Sequence, residues 1–283
     1  MTIAVTGATG HLGRLSIEAL LARDVPASEI VAIGRSADRL AALASLGVQT
    51  RVADYTDPTA LAAAFAGVDR VLLVSSSEVG QRLPQHLNAI TAAQAAGVAL
   101  LVYTSIANVT TGSMALASEH LATEQAITES GLAHVFLRNG WYIENYTEQL
   151  PVQLQHGTVL GAAGEGRVSA ATRADYAAAA AAVLVAEEPR EAYELGGAAF
   201  TLPEYAATVT EVTGTSVGYT DLPAADYAQA LVGAGVPQPF AEILADSDLG
   251  LGRGDLYVDS GDLATLIGRP ATPLADAIRA ALG

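Results

Sequence analysis

The chain has 283 residues, of which 51% are hydrophobic and 16% are charged, and its formal net charge is −16 at pH 7. It contains no cysteine, and all 14 of its lysine and arginine residues are arginine. These features exclude thiolate nucleophiles, disulfides, cysteine metal sites and lysine Schiff bases. The acidic balance argues against binding to nucleic acid or to an anionic membrane.

Short β-branched runs alternate with longer segments rich in alanine and leucine through the first half of the chain. This alternation predicts an α/β protein with a doubly wound parallel sheet, the Rossmann arrangement. The predicted strands are 2–6, 30–33, 48–53, 70–74, 99–104 and 134–137. The predicted helices are 12–22, 37–46, one that begins at 56–58, then 80–96 and 116–130.

The regularity weakens after about residue 141. We expect a glycine-rich irregular segment at 157–166, a strand at 192–196, and helices at 174–186, 203–213, 224–232 and 273–282. These elements predict a nucleotide-binding domain over 1–150 and a smaller α-rich, substrate-side lobe over 151–283. The helix at 174–186 and the strand at 192–196 are expected to return to the first domain.

Two further features bear on the compartment. No apolar run approaches the ~20 residues that a membrane-spanning helix needs, and the N-terminus has no signal-peptide pattern. We therefore expect a cytoplasmic protein that does not bind membranes, either a monomer or a homodimer.

A glycine-rich loop joins the first predicted strand to the first predicted helix. It reads Thr6-Gly7-Ala8-Thr9-Gly10-His11-Leu12-Gly13. Glycines here allow a tight turn, close approach of the backbone to a pyrophosphate and close helix–strand packing. The free N–H groups of the helix start then face the phosphates. In this context the loop predicts a dinucleotide site, and the alternative is a structural turn without a ligand.

The end of the second strand distinguishes NAD from NADP. An NAD site usually has an acidic residue about 20 residues beyond the glycines. Here Arg35 lies 22 residues after Gly13, since 35 minus 13 is 22. An arginine can pair with a 2′-phosphate, so the sequence predicts NADP(H) in preference to NAD(H). The alternative is a solvent-facing arginine at a helix N-terminus.

Two other strand ends supply candidate cofactor contacts. Asp54 and Tyr55 follow the third strand and could contact the adenine, or form a turn before the next helix. Ser75, Ser76 and Ser77 follow the fourth strand. They could line the ribose, or cap the helix that comes next.

The proton-transfer pair of short-chain dehydrogenases is only half present. These enzymes have a serine after the fifth strand, which Ser105 matches, and a Tyr-x-x-x-Lys on the next helix. None of the ten tyrosines is followed four residues later by lysine or arginine. A lysine lowers the tyrosine pKa so that it exchanges a proton near neutral pH. Carbonyl reduction by the usual route is therefore not expected.

The absence of the Tyr-x-x-x-Lys motif favours a hydride acceptor that needs little help from a protein acid. A quinone is electrophilic, and its product anion has a basicity comparable to that of tyrosine, with a pKa of ~10. Water or an ordinary hydroxyl can protonate such an anion. His120 could act as an acid near neutral pH, and the alternative is an exposed helical histidine beside Glu119 and Glu124.

Several blocks resemble the NmrA-like atypical short-chain dehydrogenases, and within them the bacterial NAD(P)H:quinone reductases. They are 6–13 with Arg35, 53–55, 75–82, 137–142, 144–146, 161–164, 171–176, 245–248 and 266–270. The resemblance thus covers essentially the whole chain. It implies a Rossmann domain with a small C-terminal lobe, NADPH in the cleft between them, and direct reduction of quinones without flavin or metal.

The resemblance also implies which residues line the cofactor. They are the glycine loop, Arg35, Ser75–Ser77, Tyr103, Thr104, Ser105, and the loop Arg138, Asn139, Gly140, Trp141 and Tyr142. The stretch 106–112 departs from the family pattern. Because this loop should border the acceptor, the departure leaves the identity of the acceptor open.

Aromatic residues gather after the sixth strand. Trp141, Tyr142 and Tyr146 occur together in a chain that is only 5% aromatic. Their flat faces suit a flat acceptor ring, and the alternative is an aromatic cluster that joins the two lobes. Asn139 could hold the nicotinamide amide or an acceptor oxygen, or serve in a turn. The candidates for the substrate pocket are Ser105, Asn108, His120, Asn139, Trp141, Tyr142 and Tyr146.

These residues, together with what the resemblance implies, leave three functions open. The first is an NADPH-dependent reductase that transfers a hydride to a quinone. The second is a non-catalytic NADP(H)-binding redox sensor that regulates a partner. The third is a reductase of another conjugated carbonyl or biosynthetic intermediate, which the altered 106–112 loop would allow.

Overall fold

Eleven β-strands form one large sheet and two small ones in the computed structural model, which describes residues 1–283. The strands are β1 (Ile3–Val5), β2 (Ile30–Gly34), β3 (Gln49–Val52), β4 (Arg70–Leu73), β5 (Leu100–Ile106), β6 (His134–Asn139), β7 (Thr158–Gly161), β8 (Arg167–Val168), β9 (Ala192–Leu195), β10 (Phe200–Thr201) and β11 (Gly218–Asp221). The large sheet has the order β3-β2-β1-β4-β5-β6-β9, and every neighbouring pair in it is parallel. The predicted doubly wound parallel sheet is confirmed.

Thirteen α-helices pack around the sheets, and some of them cover the two faces of the large one. They are α1 (His11–Leu21), α2 (Ala37–Ala44), α3 (Pro58–Phe65), α4 (Arg82–Ala96), α5 (Ala115–Ser130), α6 (Glu144–Thr147), α7 (Leu150–His156), α8 (Arg173–Val185), α9 (Leu202–Thr213), α10 (Ala224–Gly233), α11 (Gln238–Arg253), α12 (Asp262–Ile267) and α13 (Leu274–Leu282). Helices α1 and α8 pack together on one face, and α3, α4 and α5 pack side by side on the other. None of the helices combines the length and the hydropathy that crossing a membrane requires.

Local sequence explains where these elements begin and why they are buried. Strands β1 and β2 are buried along their whole length, as expected for parallel strands covered on both faces. Helix α3 begins at Pro58, and the Asp57 carboxylate caps it by accepting from the N–H groups of Thr59 and Ala60, each at 3.0 Å. The predicted start of this helix is therefore confirmed.

The second half of the chain contains a separate apolar core beside the large sheet. Side chains of α9 and α13 and of the small strands form it, together with residues from the start of α5. Strand β7 pairs in parallel with β11, and β8 pairs antiparallel with β10. The prediction of irregular structure over 157–166 is wrong at β7. Four strand residues beside several glycines are too few to show the alternation of apolar and polar residues that predicts a strand.

Candidate active site

A cleft of about 350 Å³ opens at the carboxyl ends of β1, β2, β3 and β4. Strands β1 and β4 are neighbours in the sheet but not in sequence, so the cleft lies at the switch point where such sheets bind ligands. Most residues predicted to contact a cofactor line it. These are Thr6, Gly7, Thr9, Gly10, His11, Leu12, Gly13, Arg35, Asp54, Tyr55, Ser75, Ser76 and Ser77.

The glycine loop at the floor of the cleft tolerates no larger residues at two of its positions. Gly7 has a left-handed backbone with φ of +57°, and a Cβ atom at Gly13 would overlap the carbonyl of Gly7. Ala8 lies behind the loop, where its side chain is fully buried and its N–H donates to the Ile33 carbonyl at 2.9 Å.

The start of α1 fits an anion. Its N-cap residue is Gly10, which has no side chain to cap the helix, and the first turn contains no acidic residue. The N–H groups of the first turn are therefore left for a ligand, and the helix dipole favours negative charge at this point. These features fit the pyrophosphate of a dinucleotide.

Two arginines lie beside this helix start. The Arg35 guanidinium is exposed, with one nitrogen 2.8 Å from a Glu78 carboxylate oxygen and another 3.7 Å from Asp54. Arg39 donates to the carbonyl oxygen of Thr9 at 2.5 Å. Sequence reasoning missed Arg39, and the available signal was a second arginine four residues after Arg35.

Tyr55 and Thr6 tie the strand ends together below the cleft. The buried Tyr55 hydroxyl lies 2.6 Å from the Thr6 hydroxyl and 2.6 Å from the Val74 carbonyl oxygen. Thr6 in turn donates to the Leu72 carbonyl at 3.0 Å. These polar atoms are occupied within the protein, so the two residues shape the cleft rather than offer it free hydroxyls.

The serine segment after β4 is held from behind by buried partners. The Ser75 N–H donates to the Thr104 hydroxyl at 2.8 Å, and the Ser76 N–H donates to Nε2 of His86 at 2.9 Å. The Ser76 hydroxyl donates to the Gln85 side chain. Thr104 therefore lies behind the cleft wall, and it contributes by positioning Ser75.

Tyr103 and His120 lie in the interior, between the sheet and helices α4 and α5. The Tyr103 hydroxyl is 2.8 Å from Nδ1 of His120, and both side chains are buried. The expectation of an exposed histidine beside Glu119 and Glu124 is wrong, because this face of α5 packs against the sheet.

The charge state of His120 also differs from the expectation. Burial lowers its pKa well below the usual range, and the nearby Arg82 and His86 lower it further. The imidazole is therefore neutral near neutral pH. The expectation that it supplies a proton there is wrong, for the same reason of burial.

Two buried polar atoms without partners mark the ends of β5 and β6. Neither the Ser105 hydroxyl nor the Asn139 side-chain oxygen has a hydrogen-bond partner within the protein, and each residue is 4% exposed. Buried polar atoms are nearly always paired. These two lie on adjacent strands at the carboxyl edge, where a ligand can supply the missing partners.

Arg138 is occupied by two carboxylates. Its guanidinium donates twice to Glu124, at 2.8 and 3.0 Å, and once to Glu194 at 3.2 Å. These contacts join β6 to α5 and β9. Gly140, two residues after Arg138, packs so closely that a Cβ atom would lie 2.7 Å from the Ser169 carbonyl oxygen.

The aromatic residues after β6 pack within the protein. Trp141 is half-buried against the separate apolar core of the second half of the chain, and its carbonyl accepts from the Ala171 N–H at 3.1 Å. The Tyr142 ring meets Tyr176 edge-on at 5.5 Å and lies under the Arg173 guanidinium at 5.2 Å.

Tyr146 and Asn108 do not line the cleft. Tyr146 is buried beside Tyr205, with its ring centroid at 5.4 Å and its hydroxyl unpartnered. Asn108 has a positive φ of 53°, and its amide donates to the carbonyls of Asp255 and Tyr257 at 3.1 and 2.8 Å. The 106–112 loop is thereby attached to the C-terminal part of the chain.

Comparison with known proteins places this architecture among nucleotide-binding reductases. Residues 7–187 match the model of a family described as NAD(P)H-binding. Quinone oxidoreductase 2 of Escherichia coli (strain K12) is 50% identical over 278 residues, which span 98% of this chain and 97% of that protein.

Solved structures agree with the sequence comparison. An NADPH-dependent quinone oxidoreductase of Escherichia coli, complexed with NADPH, superposes with a TM-score of 0.96 at 48% identity and covers 100% of both chains. A triphenylmethane reductase of Citrobacter sp., complexed with NADP(H), gives a TM-score of 0.94 at 39% identity and covers 99% of this chain and 100% of that one.

Proposed function

Because this chain belongs to the NAD(P)H-binding family, we propose that it is an NADPH-dependent reductase that transfers a hydride directly to a quinone. The observation that carries the proposal is the full-length similarity to the quinone oxidoreductase of Escherichia coli. The cleft at the switch point supports it, because the glycine loop and Arg35 lie there together.

The proposed cofactor contacts follow the cleft. The free N–H groups at the start of α1 hold the pyrophosphate, and Arg35, with Arg39 beside it, holds the 2′-phosphate. This arrangement favours NADPH over NADH. Asp54 and the Tyr55 ring border the adenosine, and the Ser75–Ser77 segment borders a ribose.

The proposed chemistry needs little from the protein beyond positioning. When bound, NADPH supplies the hydride. The unpartnered Asn139 oxygen and Ser105 hydroxyl orient the nicotinamide amide and the acceptor oxygen. The quinone gains the hydride and one proton, and water or the Ser105 hydroxyl passes on that proton. Tyr103 takes no part in this transfer, since burial raises its pKa and its hydroxyl faces His120.

The test is an acceptor panel with purified, flavin-free protein, followed by NADPH absorbance. We expect NADPH to be consumed in proportion to added benzoquinone, with hydroquinone as the product. Binding of NADPH without turnover on any acceptor would overturn the proposal in favour of a sensor.

A second acceptor class belongs in the same panel. The similarity to the triphenylmethane reductase of Citrobacter sp. favours reduction of another conjugated acceptor on the same framework. Turnover confined to such a dye, with none on quinones, would replace the quinone as substrate and keep the cofactor site.

A further inference from the structure

The arginine proposed to hold the 2′-phosphate is already paired with a carboxylate of the protein. Glu78 accepts a hydrogen bond from the Arg35 guanidinium at 2.8 Å through one carboxylate oxygen. Its other oxygen accepts from the Gln85 amide at 2.8 Å. Gln85 is buried, and it also accepts from the Ser76 hydroxyl. Glu78 is therefore held in its position by a residue of the interior.

The charges around this pair are balanced without a ligand. Arg35 and Arg39 lie on one side, and Asp54 and Glu78 lie within 3.7 and 2.8 Å of Arg35. A phosphate monoester brings a charge of about −1.5 to −2. Its approach to Arg35 meets the like charge of Glu78, which raises the free energy of the complex. Arg35 and Glu78 are both well exposed, and exposed ion pairs are weak, so a phosphate can displace this carboxylate.

We propose that Glu78 is a specificity-determining residue that competes with the 2′-phosphate of NADPH for Arg35. This inference rests on the NADP(H) site of the proposed function. NADH carries a 2′-hydroxyl instead, which can donate to a carboxylate as it does in NAD sites. Glu78 therefore weakens NADPH binding and supports NADH binding. It narrows the difference between the affinities of the protein for the two cofactors.

The test compares Glu78→Gln with wild type by titrating NADPH and NADH at low ionic strength, using the fluorescence of the bound nicotinamide. We expect the Kd for NADPH to fall about three- to tenfold, the range that losing an exposed ion pair and a like charge predicts. The Kd for NADH should not fall. The gain should shrink in ~1 M salt, where the Debye length is about 3 Å.

Asp38→Asn is the matched control. Asp38 is exposed, lies three residues after Arg35 and forms no ion pair. Asp38→Asn therefore removes one negative charge, as Glu78→Gln does, but breaks no ion pair. Its Kd for NADPH should change much less. An unchanged Kd for NADPH in Glu78→Gln would overturn the inference. An equal fall in the Kd for both cofactors, or the same fall in the Kd for NADPH in Asp38→Asn, would overturn it as well.

Arg35→Ala separates this inference from the proposed function. If Arg35→Ala weakens NADPH binding while Glu78→Gln has no effect, the phosphate site stands and the competition by Glu78 is wrong. If Arg35→Ala leaves the NADPH affinity unchanged, the phosphate site itself is wrong, and Glu78 has nothing to compete with.

Discussion

We propose that the choice of cofactor depends chiefly on Arg35, because this exposed arginine follows β2 directly and lines the cleft. We predict that Arg35→Ala raises the Kd for NADPH about tenfold or more, since hydrogen bonds to charged groups contribute ~1.5–3 kcal/mol. The Kd for NADH should change little. Fluorescence titration of both cofactors measures this.

Arg14→Ala is the control for Arg35, since Arg14 is an exposed arginine on α1 that pairs with Glu18 instead of facing the cleft. Equal weakening of NADPH and NADH binding in Arg35→Ala would contradict the 2′-phosphate role.

Asp248 carries a buried carboxyl group that makes the stability of the protein depend on pH. Burial raises its pKa to about 6, although the Ala162 N–H donates to it at 2.8 Å, and Asp221 adds to the rise. Tyr146, Tyr219 and Tyr227 are the other titratable groups nearby. The folded state therefore favours the neutral carboxyl more than the unfolded state does, and this stabilisation is lost as the pH rises through about 6.

We predict that Asp248→Asn gains stability over wild type as the pH is raised from ~4 to ~7, by on the order of 3 kcal/mol at most. The asparagine oxygen can still accept from Ala162. Chemical denaturation at both pH values measures the difference, and Asp226→Asn, at an exposed position on α10, controls for net charge. A difference between Asp248→Asn and wild type that is the same at both pH values would contradict the raised pKa.

Local motifs made part of the site predictable. The glycine loop and Arg35 follow fixed offsets from a strand, and both line the cleft. Glu78 and Gln85 have no such offset, because the contact of Glu78 to Arg35 and that of Gln85 to Glu78 depend on the path of the loop after β4. The burial of His120 was missed because α5 buries polar side chains on the face that meets the sheet, so hydropathy does not mark that face.

At the scale of elements, the pair between Arg138 and Glu124 joins β6 to α5. Glu124 is buried and Arg138 is only partly exposed. Removing one partner of such a pair leaves the other charge buried without compensation. The side chain predicted to line the cofactor thus stabilises the junction of a strand and a helix.

We predict that Glu124→Gln lowers the free energy of unfolding by about 2–4 kcal/mol, the range for breaking a buried pair with one remaining contact to Glu194. Glu129→Gln is the control, because Glu129 is exposed on the same helix and forms no ion pair. Denaturant unfolding monitored by circular dichroism measures both. Equal stability of the two variants would show that the pair contributes nothing.

Regular elements were predictable where their pattern was long enough. The strands of the large sheet and the helices between them follow from alternation and from signals such as Asp57-Pro58. Helix α11 was missed because two glycines and two aspartates interrupt its second half. The small strands were missed because two to four residues are too few to show the alternation of apolar and polar side chains that predicts a strand. The division into domains at about residue 150 stays a prediction.

At the scale of the whole molecule, the arrangement of the sheet accounts for the position of the site. The order β3-β2-β1-β4-β5-β6-β9 places β1 beside β4, and the cleft opens between their carboxyl ends. The resemblance to NmrA-like reductases drawn from sequence blocks is confirmed by the family match and by the full-length relatives. The cytoplasmic location and the oligomeric state stay predictions.

A single-turnover reaction tests hydride transfer from NADPH to a quinone directly. Flavin-free protein loaded with NADPH is mixed rapidly with benzoquinone, and NADPH absorbance is followed with and without deuterium at the transferred position. We expect one NADPH to be lost for each quinone reduced, and deuterium to slow the loss. Bound NADPH whose absorbance does not change in the presence of quinone would show that the protein does not transfer a hydride to quinones.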